Sequence, residues 1–182
     1  MIMPVVKVPA KVLSTPVKDV KAIDTKIKKL VEDMKETLIA QKDPEGVGLA
    51  APQVGVGLSI FITKPEKHSP IHVYINPKIL KTEHKTKTKA ELQAEEDDDT
   101  TALEGCLSID RIWAPVKRPD RVLLSYQTLE GKTIEAWFDG FDAVIIQHEV
   151  DHLNGIVFTQ QAMEQDQPIY EERKGKLYEV EF

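Results

Sequence analysis

The residues best suited to chemistry lie together near the end of the chain, in Gln147-His-Glu-Val-Asp-His152. Histidines four positions apart, His148 and His152, fall on one face of a helix, one turn above each other. There both imidazoles can hold a single metal ion. Glu149 sits about 100° further round the axis, at the edge of that face, where its carboxylate can reach a water on the metal. The flanking residues make the helix a buried one. Phe141, Val144 and Ile145 continue the histidine face, while Ile146, Val150 and Leu153 cover the other, and a helix apolar on every side belongs in a core. Two imidazoles and the carboxylates Glu149 and Asp151 need strong partners in such surroundings, because unpaired polar groups are costly to bury. A metal ion is the simplest partner for the histidines. Asp139 or Asp142 can cap the start of this helix, and Asn154-Gly155 supplies a left-handed stop.

Two further stretches carry chemical interest. Leu103-Glu-Gly-Cys-Leu-Ser108 holds the only cysteine, and three roles suit Cys106: a buried small hydrophobe, the nucleophile of a Cys-His protease, or a metal ligand. Its glycine neighbour and polar surroundings are unusual for a core filler, and the paired histidines favour ligation. Gly46-Val-Gly-Leu-Ala-Ala-Pro-Gln53 is rich in small residues, marking backbone that another group approaches closely. A dinucleotide loop would need a third glycine opening a helix, whereas Pro52 and the apolar stretch Val54 to Thr63 follow here. A tight packing turn without a ligand is the other reading.

Bulk properties narrow the class. A chain of 182 residues suits one domain, 1–182, with one sizeable core. A hydrophobic content of 41% beside 30% charged residues is that of a soluble globular protein. The net charge of −6 argues against general nucleic-acid affinity. The N-terminus lacks the layout of a signal peptide, and no apolar run is long enough to cross a bilayer. A single cysteine fits a reducing cytosol, so the expected location is cytoplasmic.

The elements that position these stretches follow from patterning. Prolines at 4, 9 and 16 break residues 1–20 into an extended arm packed on the body. From Asp24, a natural N-cap, Ile27, Leu30, Val31, Met34 and Leu38 recur at helical spacing until Asp43-Pro44 and Gly46 end the segment. Val54 to Thr63 and Ile71 to Asn76 read as strands, the second stopped by Pro77. Residues 81–101 read as a solvated, flexible charged insertion or a long hairpin. Val122–Thr128 and Thr133–Phe138 form a hairpin. The tail from Lys176 alternates, with Tyr178, Val180 and Phe182 on one side, and reads as a final strand. His68, His72 and His84 lack ligand spacing and carry no role.

In this order, the Gly46–Gln53, Glu104–Ser108 and Gln147–His152 segments resemble the three motifs of the peptide deformylases. Ile75-Asn-Pro77, Arg118 and Leu153-Asn-Gly155 agree as well, so the likeness covers nearly the whole chain. The resemblance implies an α+β fold, with antiparallel β-sheets around a central metal-binding helix, an N-terminal helix and a C-terminal strand. It implies one divalent metal on Cys106, His148 and His152, Fe2+ in the cell, with Zn2+, Ni2+ or Co2+ able to replace it. The activity it implies is removal of the formyl group from N-formylmethionine of nascent peptides, by a metal-bound hydroxide with Glu149 as general base and acid. Gln53 and the Leu107 backbone N–H are the implied donors to the oxyanion. Gly105 and the small residues at 48, 50 and 51 would let backbone come close. Val47, Gly48, Phe141, Val144 and Ile145 would line the methionine pocket, and Glu104, Arg118 and Asp151 would anchor the ligands from behind. The expected partners are N-formylmethionyl peptides and, transiently, the ribosome; a monomer is expected. Two departures stand out. The strand-like tail replaces the long C-terminal helix of some deformylases, and Asp110 occupies a position where proline often follows the second motif. Two other classes compete: a zincin-type metallopeptidase, which would draw a third ligand downstream although no histidine follows His152, and a non-enzymatic module that binds nascent chains.

Overall fold

Two antiparallel sheets enclose one apolar helix. The structure is a computed structural model that describes residues 1–85 and 102–181. Its strands are β1 Gly48–Ala50, β2 Ile60–Thr63, β3 His72–Glu83, β4 Leu103–Cys106, β5 Ile109–Pro115, β6 Arg121–Gln127, β7 Thr133–Asp139, β8 Ile169–Arg173 and β9 Lys176–Val180. A five-stranded sheet runs β1-β2-β3-β6-β7 and a four-stranded one β4-β5-β8-β9. Three helices accompany them: α1 Thr25–Ala40, α2 Gly140–Leu153 and α3 Phe158–Glu164. This is the α+β class that the resemblance implied.

Strand periodicity explains the layering. Successive residues of β2 point to opposite faces: Ile60 and Ile62 join Val31, Met34 and Leu38 of α1 in one core. Phe61 points the other way, into a second core with Ala143, Ile146 and Leu153 of α2. Every residue of β2 is therefore buried. A third cluster, Cys106, Ala114, Phe158, Ala162 and Ile169, joins the smaller sheet to α3.

Several local readings hold. Asp24 caps α1, accepting from the Ile27 N–H at 3.0 Å, and the β6–β7 hairpin and the strand β9 form where expected. The N-terminal arm packs on the body, with Leu13 buried in a short 3-10 turn, Lys11–Ser14. Others need correction. Val54 to Thr63 is not all strand: Ala51–Val54 is a 3-10 turn, Gly55 turns left-handed at φ 82°, and only Ile60–Thr63 pairs. Pro77 does not stop β3, which continues to Glu83. The pairing shifts between Ile75 and Lys78, and Asn76 adopts φ 50°, so the missing proline N–H falls in a bulge. The Asn76 side chain holds that bulge by accepting from Val20 N–H and donating to Val20 C=O and Gln127 Oε1.

Asp139 occupies the N-cap position of α2, yet its side chain makes no capping bond; it faces the Arg121 guanidinium at 3.1 Å instead. The left-handed stop is Gly155 alone, at φ 73°. Of the proposed insertion, residues 81–83 belong to β3, and 86–101 lie outside the described residues, as does Phe182. On β9, Val180 packs on the third core while Tyr178 stays 47% exposed. No helix of the described residues is long and apolar enough to cross a membrane.

Candidate active site

Helix α2 stacks His148 above His152, ring centroids 5.0 Å apart, and the end of β4 brings Cys106 to them from the other sheet. Cys106 Sγ lies 3.2 Å from His152 Nε2, and one donor atom from each of the three residues falls within 4.8 Å of the others. A tight turn makes this possible. Cys106 pairs with Ile109 across Leu107-Ser108, after a register shift at Gly105, which ends the strand with the sulfur facing the helix.

These residues fit a metal ion. His148 Nδ1 is engaged by Glu104 Oε2 at 2.9 Å, leaving its Nε2 for the shared point. His152 Nδ1 is buried without a partner among the described residues. Burial alone would raise the Cys106 thiol; the imidazoles of His152 and His148 outweigh it and hold the thiol well below its ordinary value. Burial works against a charged His148 as well, but Cys106 and Glu104 overcome it and raise that imidazole well above its ordinary value. The two shifts, opposite in direction, both favour charge at this point, the chemistry of a donor set that a dication would complete. One sulfur and two nitrogens suit the borderline-soft divalent ions, and three protein ligands leave a corner open.

Glu149 is 3% exposed, and its Oε2 has no partner among the described residues. Burial, only partly offset by the two imidazoles, pushes its carboxyl up to about 7. Room for that carboxyl comes from the first motif. A Cβ on Gly48 would lie 2.8 Å from Glu149 Cδ, so only glycine leaves the notch empty. Gly105 makes room as well. Its missing side chain is replaced by the Trp113 ring, 2.6 Å from where a Cβ would stand.

Gln53 sits in the 3-10 turn after β1. Its Oε1 accepts from the Ala50 N–H at 2.8 Å, which aims the amide nitrogen at Cys106 Sγ, 3.4 Å away, and Ser108 Oγ, 3.3 Å away. Leu107 lines the same cavity. Behind the histidines, Arg118 donates to Glu104 Oε2 at 2.9 Å and to Asp151 Oδ2 at 3.0 Å. Burial alone would raise Glu104, but His148 and Arg118 hold it below its ordinary value. For Asp151, burial wins over Arg118 and raises it.

The cavity has a volume of about 880 Å³. Val47, Gly48, Gly105, Phe141, Val144 and Ile145 all line it, with Phe141 at the mouth, 57% exposed. It opens between β1 and β4, each an edge strand of its sheet. Of the fifteen residues singled out in the sequence for this site, thirteen line the cavity, and His152 and Asp151 stand behind it against Cys106 and Arg118. Sequence reasoning missed Trp113, which lines the wall and is held by Glu172 at 3.3 Å. It also missed Ser108, although that serine stands inside the second motif. For Trp113 no local signal exists, since its role depends on stacking over Gly105 from the neighbouring strand.

The fold and this site define an α+β protein with a candidate metal centre on an H-E-x-x-H helix. Comparison with known proteins makes the class specific. The profile of the polypeptide deformylase family matches residues 2–168. A peptide deformylase of Dictyoglomus turgidum is 41% identical over 165 residues, spanning 91% of this chain and 95% of its own. The crystal structure of a peptide deformylase from Thermotoga maritima superposes with a TM-score of 0.75 at 32% identity, covering 88% of this chain and 97% of that one. A Met-Ala-Ser-bound peptide deformylase of Acinetobacter baumannii does so at 0.73 and 31%, covering 88% and 98%. The chain belongs to the polypeptide deformylase family.

Proposed function

We propose that this protein removes the formyl group from N-formylmethionine of newly made polypeptides, consuming water and releasing formate and the free amine. The observation that carries the reading is the convergence of Cys106, His148 and His152 on one point, with the buried Glu149 carboxyl beside it. Those three residues would hold a divalent ion, Fe2+ in the cell and replaceable by Zn2+, Ni2+ or Co2+, which would supply Lewis acidity toward water and the formyl oxygen.

The protein's own groups do the rest. Glu149, buried beside the three ligand residues, is placed to accept a proton from water and pass it to the departing amine nitrogen. The Gln53 amide, aimed by Ala50, and the Leu107 N–H donate to the formyl oxygen as it gains charge; one such donor is worth about 3–4 kcal/mol. The peptide adds as a strand along the β1 edge, Gly46–Ala50, and its methionine lies against Val47, Phe141, Val144 and Ile145. The Glu104–Arg118–Asp151 cluster fixes the His148 ring behind the site. The protein acts in the cytoplasm, as a monomer, with transient ribosome contact and no nucleic-acid specificity.

The test is formate release from formyl-Met-Ala-Ser by anaerobically prepared, metal-analysed protein, with acetyl-Met-Ala-Ser and unblocked Met-Ala-Ser alongside. Formate from the first and no cleavage of the others is expected. Cleavage of internal peptide bonds would point to the zincin-type alternative, and binding without turnover to a non-enzymatic module.

A further inference from the structure

Three consecutive residues of the N-terminal arm hold the two segments that carry the oxyanion donors. Val6 N–H donates to Gln53 C=O at 2.8 Å, and Val8 N–H to Ser108 C=O at 3.1 Å. Between them, Lys7 Nζ donates to Leu107 C=O at 2.7 Å and to Asp110 Oδ1 at 2.6 Å. Gln53 belongs to the turn after β1 and Leu107 to the turn between β4 and β5, so the arm joins the two sheets at the site.

Lys7 acts on the more vulnerable of these segments. Leu107 and Ser108 are the central residues of a turn closed by the Cys106–Ile109 pair, and the 107–108 peptide is its central unit. In such a turn the central peptide can rotate as a whole, exchanging one turn type for another, because the strand ladder holds only its ends. Here its two ends are both engaged. The carbonyl receives the Lys7 ammonium, and the Ser108 N–H on the other end donates to Cys106 Sγ at 3.4 Å. A donor at the oxygen end and an acceptor at the nitrogen end hold this peptide in one orientation. Asp110, which stands where the family often has proline, keeps the lysine over that carbonyl.

We infer that Lys7, braced by Asp110, is a positioning residue that locks the Leu107–Ser108 peptide and, through the Leu107 Cα, steadies the adjoining Cys106–Leu107 peptide, whose N–H faces the formyl oxygen. The inference rests on the deformylase reading for the role of that N–H, but not for the clamp itself. Lys7 and Asp110 are exposed, so their variants fold. The experiment compares wild type, Lys7→Met, Lys7→Arg and Asp110→Asn in two ways. The first is amide hydrogen exchange over Cys106–Asp110 in the metal-free proteins. The second is kcat and KM on formyl-Met-Ala-Ser at equal metal content.

Lys7→Met should speed exchange in that turn, with the β6–β7 hairpin unchanged, and lower kcat about tenfold, the effect of losing about 1.4 kcal/mol of transition-state stabilisation, with KM within about twofold. Lys7→Arg, which keeps a charged donor, should recover kcat to within about threefold of wild type, and Asp110→Asn should fall between. Unchanged exchange in Lys7→Met overturns the clamp. Faster exchange with unchanged kcat, or a rise confined to KM, overturns its role at the oxyanion. Wild type inert toward the formylated peptide overturns the deformylase reading, and the exchange rates then still judge whether Lys7 holds the turn.

Discussion

Replacing Glu149 by glutamine tests the electrostatics of the site and its chemistry with a single atom exchanged. The carboxyl is 3% exposed and sits at about 7 where its ordinary value is 4.5. A carboxyl raised in the folded state binds its proton more tightly there than in the unfolded chain. Its cost to stability is therefore absent below about pH 4.5, grows as the pH rises, and is complete above about pH 7. At about 1.4 kcal/mol per pH unit, the interval corresponds to a penalty of about 3 kcal/mol above pH 7. Glutamine does not ionise, and its buried amide adds an offset that does not depend on pH. Urea unfolding of the metal-free proteins from pH 5 to pH 8 should show wild type losing about 2.5 kcal/mol relative to Glu149→Gln, since a part of the penalty is already present at pH 5. In the metal-loaded protein the same variant should keep its ion and lose turnover by at least about a hundredfold, the lower end for a missing general base. A stability difference flat across that pH range would refute the account of a carboxyl held neutral by burial. Near-normal deformylation would remove Glu149 from the reaction.

Other substitutions probe the neighbouring contacts. Cys106→Ala should leave well under one equivalent of metal after dialysis, read by elemental analysis; a full equivalent would exclude the sulfur as a ligand. Gly48→Ala puts a methyl group into the space of the Glu149 carboxyl. A displacement of about 1 Å there should cost kcat about a hundredfold, measurable in the formate assay, and an unchanged kcat would show that the notch is not needed. Arg118→Met strands Glu104 and Asp151 in surroundings where the Arg118 side chain itself is only 7% exposed. Removing one partner from a buried ionic cluster should destabilise by about 3–5 kcal/mol in urea unfolding at neutral pH, whereas a loss below about 1 kcal/mol would mean the carboxylates find water instead.

What could be read from the chain alone is what short-range geometry dictates. Helical spacing puts His148 and His152 on one face whatever surrounds them, Asp24 caps α1 through its own third neighbour, and the β6–β7 hairpin and β9 follow from alternation and turn residues. The H-E-x-x-H pattern therefore carried its chemistry on its own, and the ordered trio of motifs identified the family. Elements without a periodic signal were not legible: α3 has seven residues, and β5 mixes charges with apolar side chains. Pro77 misled because a bulge, stabilised by Asn76 reaching Val20 and Gln127, absorbs its missing donor.

Apart from the ligand trio that the family resemblance implied, only tertiary structure decided which distant residues meet. Cys106 and His152 are 46 positions apart and Lys7 and Leu107 are 100 apart, distances along the chain over which no spacing rule operates. That Arg118 bridges two carboxylates, that Gly48 makes room for Glu149 and that Trp113 fills the space above Gly105 are consequences of two sheets closing on one helix. The physical reason is that spacing sets the direction of a side chain relative to its own element, while burial, charge state and partner depend on what another element presents across the gap.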